Sequence, residues 1–219
     1  MAPLSVYAWD EEERTEVGIH KMKETSGKKA VFLDRDGVLN ALVLSPDSGK
    51  YEPPHSMKEL KLLPRVVPSL KKLQEAGYYL FLVSNQPDYA LGKTTLNNLK
   101  LVHKKFSKLM KKEGIRFKKY YYCYHHPSGT VPLYSIVCKC RKPEPFFLIE
   151  ASKDYGMDLS SSWMIGDTDR DVEAGKGAGV KTILVDYELS RGQRNASGPD
   201  YKAKNLNIAV DIILGDGTE

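Results

Sequence analysis

A chain of 219 residues with 41% apolar content can bury one substantial core, and its length favours a single domain with additions over two full domains. Its 33 basic and 28 acidic side chains leave a net charge of +5, a modest excess that suits phosphorylated small molecules and nucleic acid alike, so charge alone does not choose. No segment reaches the ~18 uninterrupted apolar residues of a membrane span, and the acidic start, with Asp10 to Glu13, has no run resembling a signal peptide, so the reading is a soluble cytoplasmic protein without a membrane partner.

Residues 1–28 read as a loosely docked N-terminal extension and residues 29–219 as one domain. The apolar run 29–33 enters Asp34 as a buried parallel strand does when its carboxyl end carries chemistry. A helix over about 66–76 is closed by Gly77, and a second apolar run, 78–83, ends at Ser84-Asn85-Gln86. Thr94 opens a long amphipathic helix in which Leu99, Val102, Phe106 and Leu109 recur at helical spacing up to Gly114, with lysines on the opposite face. Residues 120–123 read as a third strand, 146–155 as a helix, and 163–165 as a fourth strand leading to Gly166-Asp167. A helix over about 169–176, closed by Gly177 and Gly179, a fifth strand over 181–185 and a terminal helix over 206–214 complete the chain. Strands alternating with helices predict an α/β fold on a doubly wound, Rossmann-like parallel sheet, with ligands at the carboxyl ends of the strands.

The chemically suggestive residues fall at those ends. Asp34-Arg35-Asp36-Gly37 sets two carboxylates two residues apart, so that one can attack while the other moves protons. Alone this is also a common turn. Three more strand ends add the Ser84 hydroxyl and Asn85 amide, the Lys142 cation, and the Asp167 carboxylate, which together make a nucleophile, a proton shuttle, phosphate-oxygen donors and a hard-cation site.

All three cysteines lie in one stretch, as Cys123-Tyr124-His125-His126 and Cys138-Lys139-Cys140-Arg141-Lys142. Three thiolates and one imidazole close a tetrahedral zinc shell and leave no position for substrate, so the expected Zn²⁺ is structural and residues 123–140 form its loop. Buried apolar cysteines, or a disulfide with one cysteine left over, are the alternatives. His125 is preferred as the nitrogen ligand for its symmetry with the Cys-x-Cys pair, with His126 left open by spacing. Thiolate ligands also suit a reducing compartment.

The segments at Asp34–Val38, Ser84–Gln86, Lys142 and Gly166–Asp167 resemble the four motifs of the haloacid dehalogenase superfamily of phosphohydrolases, a resemblance covering residues 29–185. The cysteine loop is similar to that of the heptose-bisphosphate 7-phosphatases, with histidinol-phosphate phosphatases as close relatives, and the offset 138 − 123 = 15 favours the heptose branch. The resemblance implies the superfamily fold with a zinc-stabilised loop and no large cap domain. It implies Asp34 as the nucleophile that becomes an aspartyl-phosphate, and Asp36 as the acid that protonates the leaving alkoxide and then activates water. Ser84 and Lys142 would hold the phosphoryl oxygens, and Mg²⁺ would sit between Asp34, the backbone carbonyl of Asp36, and Asp167. The implied activity is Mg²⁺-dependent hydrolysis of a small sugar phosphate, foremost the 7-phosphate of a D-glycero-D-manno-heptose 1,7-bisphosphate.

Arg141 is the candidate for gripping the substrate's other phosphate, and Asn85 for steadying the general-acid carboxylate. Asp171, one turn beyond Asp167, either orients metal-bound water or the lysine, or is simply an acidic first-turn residue. The chain departs from the heptose pattern at Pro87–Gly92, where Leu91 replaces an arginine, at Thr168, where a lysine is usual, and in a longer segment over 41–63. Rival readings are a phosphatase of histidinol phosphate or another small metabolite, a polynucleotide 3′-phosphatase using Lys100, Lys104, Lys105, Lys108, Lys111 and Lys112, and a binding protein without catalysis. The complete set of catalytic residue types favours an enzyme over a binding protein; its expected partner is a small phosphorylated metabolite, and a monomer is the working expectation.

Overall fold

The computed structural model describes residues 7–9, 27–194 and 198–215. In chain order these residues form β1 (Tyr7–Trp9), β2 (Ala30–Leu33), β3 (Val43–Leu44), β4 (Tyr51–Glu52), α1 (Val66–Glu75), β5 (Tyr79–Asn85), α2 (Leu96–Lys112) and β6 (Phe117–Cys123). They continue with α3 (Phe146–Tyr155), β7 (Trp163–Gly166), α4 (Asp169–Ala178), β8 (Lys181–Val185), β9 (Tyr201–Ala203) and α5 (Leu206–Leu214). Seven strands make one sheet in the order β1-β6-β5-β2-β7-β8-β9, parallel except for β1. Counted along the chain, the six parallel strands follow the doubly wound order 3-2-1-4-5-6.

Strands covered on both faces need apolar residues at successive positions, and β2 is buried throughout. Val31 and Leu33, with Leu80, Leu82 and Ile165, pack toward a core that includes residues of α1, α2 and α5. Ala30 and Phe32, with Phe81, Val83 and Met164, face the other way, toward Phe147 and Leu148 of α3. Helix α4 lies on that second side, close enough that a Cβ on Gly175 would stand 2.9 Å from Met164 Cβ.

Several boundaries differ from the sequence reading. β6 begins at Phe117, three residues early; Lys118 and Lys119 fit in the strand with their ammonium groups over the Tyr79 and Tyr121 rings. The N-cap of α2 is Thr95, whose side chain accepts from Asn98 N at 3.1 Å. α4 runs through Gly177 and stops at Gly179, whose φ of 77° closes the helix. The expected extension 1–28 lies largely outside the described residues, but Tyr7–Trp9 is an edge strand on β6, which covers an otherwise open edge. Residues 41–63 hold the two-stranded β3–β4 hairpin in place of a cap domain.

β2 and β7 are neighbours, and from them the chain winds in opposite directions, so a crevice opens beyond their carboxyl ends. The Asp34 amide still donates to Ile165 O at 3.0 Å, which fixes the first residue past β2 against the end of β7.

Candidate active site

Asp34 follows β2 and Asp167 follows β7, so strand register alone brings two carboxylates to the switch point. Asp171 joins them from the first turn of α4, and the three carboxylates offer oxygens within 4.8 Å of one another. Glycines make this approach possible. A Cβ on Gly37, at φ 85°, would stand 2.1 Å from Asp167 Oδ2, and one on Gly166 would stand 2.0 Å from Asp171 Cβ. Asp171 holds both roles left open by its position: Oδ2 accepts from Thr168 N at 3.0 Å and from its hydroxyl at 2.7 Å, capping α4, while Oδ1 lies 2.6 Å from Lys142 Nζ.

Lys142 reaches the same point from the segment between β6 and α3. Its ammonium donates to Asp34 Oδ1 at 2.8 Å and to Val83 O at 2.7 Å, and the side chain is almost fully buried. Burial, the largest influence, disfavours its charge, but Asp171 and Asp34 outweigh it and hold the lysine protonated. Burial pushes the Asp34 carboxyl up to about 6; Lys142 pulls it back, while Asp171 and Asp36 raise it further. Burial likewise raises Asp167, followed by Asp34 and Asp171.

Three buried carboxyl groups share one ammonium, too little positive charge to hold them all ionised, and Asp167 Oδ1 is buried without a hydrogen-bond partner. A hard divalent cation fits this donor set, since Mg²⁺ takes a few carboxylates and fills its shell with phosphate and water. The Asp36 carboxylate is not in the cluster. It accepts from Arg35 Nη2 at 3.0 Å, from Asn40 Nδ2 at 2.9 Å and from Gln86 Nε2 at 2.5 Å, at the edge of the same cavity.

The strand-end residues of β5 divide their work differently from the sequence reading. Asn85 does not touch Asp36; its amide donates to Lys142 O at 3.0 Å and accepts from Lys142 N at 3.1 Å, so it fixes the backbone that carries the lysine. Gln86 holds Asp36 instead, and its Nε2 also donates to Ser84 Oγ at 2.9 Å. Ser84 is buried beneath Gln86 and does not line the cavity, whereas Asn85, Arg141 and Lys142 do. Arg35, Asn40 and Gln86 were missed in the sequence; only the nearness of Arg35 to the paired aspartates hinted at a role.

The cysteine cluster assembles as expected from its spacing. Cys123, Cys138 and Cys140 have sulfurs 3.3 to 3.6 Å apart, too far for a disulfide bond of about 2.05 Å, and His125 Nδ1 lies 3.4 Å from Cys140 Sγ and 3.8 Å from Cys123 Sγ. A tetrahedron built with ordinary zinc bond lengths has edges of about 3.8 Å between sulfurs and about 3.6 Å between sulfur and nitrogen, so these donors fit the ion. His126 is outside the group, its Nδ1 accepting from Ser128 N. Arg141 Nη1 donates to His125 O at 3.2 Å, which ties the arginine to the cluster.

The cavity above the carboxylates measures about 180 Å³. Its lining includes Arg141 and Arg170, Leu42, Tyr51 and Pro53 from the hairpin segment, and Asp88 from the loop after β5. Leu91 does not line it, and Thr168 does, with its hydroxyl spent on Asp171.

Residues 139–209 match the model of the HAD-hydrolase-like family. The D-glycero-β-D-manno-heptose-1,7-bisphosphate 7-phosphatase of Pasteurella multocida is 36% identical over 189 residues, 86% of this chain and 98% of its own. The enzyme of the same name from Haemophilus ducreyi is 37% identical over 189 residues, 85% and 97% of the two chains. Among solved structures, a HAD-like protein from Mesorhizobium loti superposes with a TM-score of 0.72 at 27% identity over 98% of this chain and 95% of its own. The D,D-heptose 1,7-bisphosphate phosphatase of B. bronchiseptica, crystallised with magnesium and phosphate, shares the fold with a TM-score of 0.70 at 24% identity, over 86% and 99% of the two chains. More than a third of the aligned residues shared along nearly the full length of these relatives, on the same doubly wound sheet, make this chain a phosphatase of the haloacid dehalogenase superfamily, in the family of the heptose-bisphosphate 7-phosphatases.

Proposed function

We propose that the protein is a Mg²⁺-dependent phosphomonoesterase that works through an aspartyl-phosphate and removes the 7-phosphate of a D-glycero-D-manno-heptose 1,7-bisphosphate. The chemistry rests on one observation, the Lys142 ammonium shared by Asp34 at 2.8 Å and Asp171 at 2.6 Å beside the unpartnered Asp167 oxygen. The substrate rests on the names of the relatives.

In this reading Lys142 draws the phosphoryl oxygens onto Asp34. An Asp34 oxygen attacks phosphorus, the bond from phosphorus to the sugar oxygen breaks, and Asp36 gives its proton to the departing alkoxide. Asp36, now a carboxylate, takes a proton from water; the water oxygen attacks phosphorus, the bond to Asp34 breaks, and inorganic phosphate leaves with both carboxyls restored. Bound Mg²⁺, held by Asp34, Asp167 and the Asp36 carbonyl, would supply the positive charge that offsets repulsion between a phosphate dianion and an attacking carboxylate. Bound Zn²⁺ at Cys123, His125, Cys138 and Cys140 would cross-link the loop from which Arg141 reaches the cavity. Arg141 and Arg170 are read as the grips on the distal phosphate, because guanidinium binds such oxygens in a bidentate way. Asn85 positions Lys142, and Ser84 acts through Gln86.

Among the described residues no helix is long and apolar enough to cross a membrane, and the free thiols favour a cytoplasmic enzyme, read here as a monomer. A polynucleotide substrate is less favoured, since no lysine of α2 lines the cavity and Lys105 donates to Met57 O and Leu60 O. The test is phosphate release with Mg²⁺ from a heptose 1,7-bisphosphate, histidinol phosphate and 3′-phosphorylated DNA, compared by kcat/KM. The bisphosphate should lead; a higher value for either other substrate would replace this assignment.

A further inference from the structure

The hairpin over the cavity is built unlike the rest of the site. It adds the apolar side chains Leu42, Tyr51 and Pro53 to a lining that otherwise holds the carboxylates with Lys142, Arg141 and Arg170. Along β4 the side chains alternate: Tyr51, half exposed, meets the cavity, and Glu52, nearly buried, points away. Leu44 is the cross-strand partner of Tyr51 and is also half exposed, so an aliphatic and an aromatic side chain share the hairpin face at the mouth. Among the described residues these two apolar side chains keep about half their surface open to solvent at the edge of a cavity floored by carboxylates.

The hairpin is nevertheless fixed. Glu52 accepts from Lys93 Nζ at 2.7 Å and from Ser48 Oγ at 3.1 Å. His55 Nε2 lies 2.8 Å from Asp88 Oδ2, and Asp88 Oδ1 is 3.8 Å from Lys93 Nζ, so one acidic and one basic residue of the loop after β5 answer two residues of the hairpin segment. Glu59 accepts from the His55 and Ser56 amides at 2.8 and 2.9 Å, and the Leu42 amide donates to the Tyr187 hydroxyl at 3.1 Å. These bonds fix the segment on both sides of Tyr51, which lines the same cavity as Asp34.

We propose that Tyr51 is a specificity-determining residue whose ring is the platform for the C–H face of the sugar leaving group, and that the Glu52–Lys93 and His55–Asp88 pairs are the latch that positions it. Sugars present hydroxyl edges and C–H faces; an aromatic ring gains from contact with the latter, and Arg141 and Arg170 in the same lining offer donors to the former. Small substrates that end at the phosphoryl group never reach this wall. The inference rests on the sugar-phosphate reading above and adds the residue that recognises the sugar body.

The test compares the intact enzyme with Tyr51→Ala, Tyr51→Phe, His55→Gln and the double variant Tyr51→Ala/His55→Gln, on a heptose 1,7-bisphosphate and on acetyl phosphate. The readout is the ratio of the two kcat/KM values. Tyr51→Ala should lower that ratio about tenfold, through KM, and Tyr51→Phe should hold it within about twofold because the ring is what acts. His55→Gln should lower the ratio about threefold, and the double variant should lose no more than Tyr51→Ala alone, since the latch serves the ring. Acetyl phosphate turnover reports that each variant is folded. An unchanged ratio in Tyr51→Ala, or losses that multiply in the double variant, would overturn the proposal. A wild-type enzyme that does not prefer the bisphosphate over acetyl phosphate would overturn the substrate reading beneath it instead.

Discussion

Substituting His103→Gln should flatten the acid limb of the stability curve. His103 lies on α2 with its Nδ1 3.1 Å from the Tyr122 hydroxyl and its ring edge-on to Tyr120 and Tyr122, and it is nearly buried. Burial, followed by the Arg35 guanidinium, holds its pKa down to about 4, against an ordinary value of 6.5. The unfolded chain therefore takes up this proton first as pH falls. A depressed histidine adds stability that is fully present above the unfolded pKa and is lost as pH falls through the folded one. The separation between 6.5 and about 4 is worth about 3 kcal/mol in all, of which about 2 kcal/mol is lost between pH 7.5 and pH 5. Asp34 and Asp167, raised by burial, act in the opposite sense, but they are common to both proteins and cancel in the difference. Glutamine keeps an amide within reach of Tyr122 and does not titrate. Urea unfolding of both proteins at the two pH values should show the wild type losing about 2 kcal/mol more than the variant over that interval. Parallel losses would refute the assignment of a neutral buried imidazole.

Two further predictions bear on the site. Asn85→Ala removes both bonds to the Lys142 backbone, each worth about 1 kcal/mol, so kcat should fall about tenfold or more while Tm changes modestly; unchanged kcat would show that Lys142 holds itself. Cys138→Ser should reduce bound zinc, measured by metal analysis of the purified protein, and lower Tm; wild-type protein purified without zinc would refute the metal assignment.

Much of this architecture is legible in the sequence because burial on both faces writes uninterrupted apolar runs, as in Ala30–Leu33 and Trp163–Gly166. The donor cluster at Cys123, His125, Cys138 and Cys140 is equally plain, since short spacings bring ligands together whatever the loop does between them. Asp171 follows from its one-turn offset from Asp167. Short elements leave no such trace: β1, β9 and the β3–β4 hairpin span two or three residues each, below the length at which periodicity shows. Asn85 was assigned to Asp36 and Gln86 was given no role because two amides stand together at the end of β5, and only the approach of Lys142 from a segment 57 residues away decides which one meets Asp36. Arg35 and Asn40 escaped for a different reason: an irregular local loop folds them onto Asp36, with Asn40 N donating to Arg35 O at 3.0 Å.

The nucleophilic role of Asp34 stands behind every other assignment. Its side chain bonds Lys142, sits within reach of Asp167 and Asp171, and opens on the cavity. The direct measurement is acid-quenched turnover with Mg²⁺ and ³²P-labelled substrate, followed by mapping of the labelled peptide. Wild-type protein should carry acid-stable, base-labile label on the peptide containing Asp34, and Asp34→Asn should show neither label nor phosphate release. Label on another residue, or wild-type turnover by Asp34→Asn, would contradict the account.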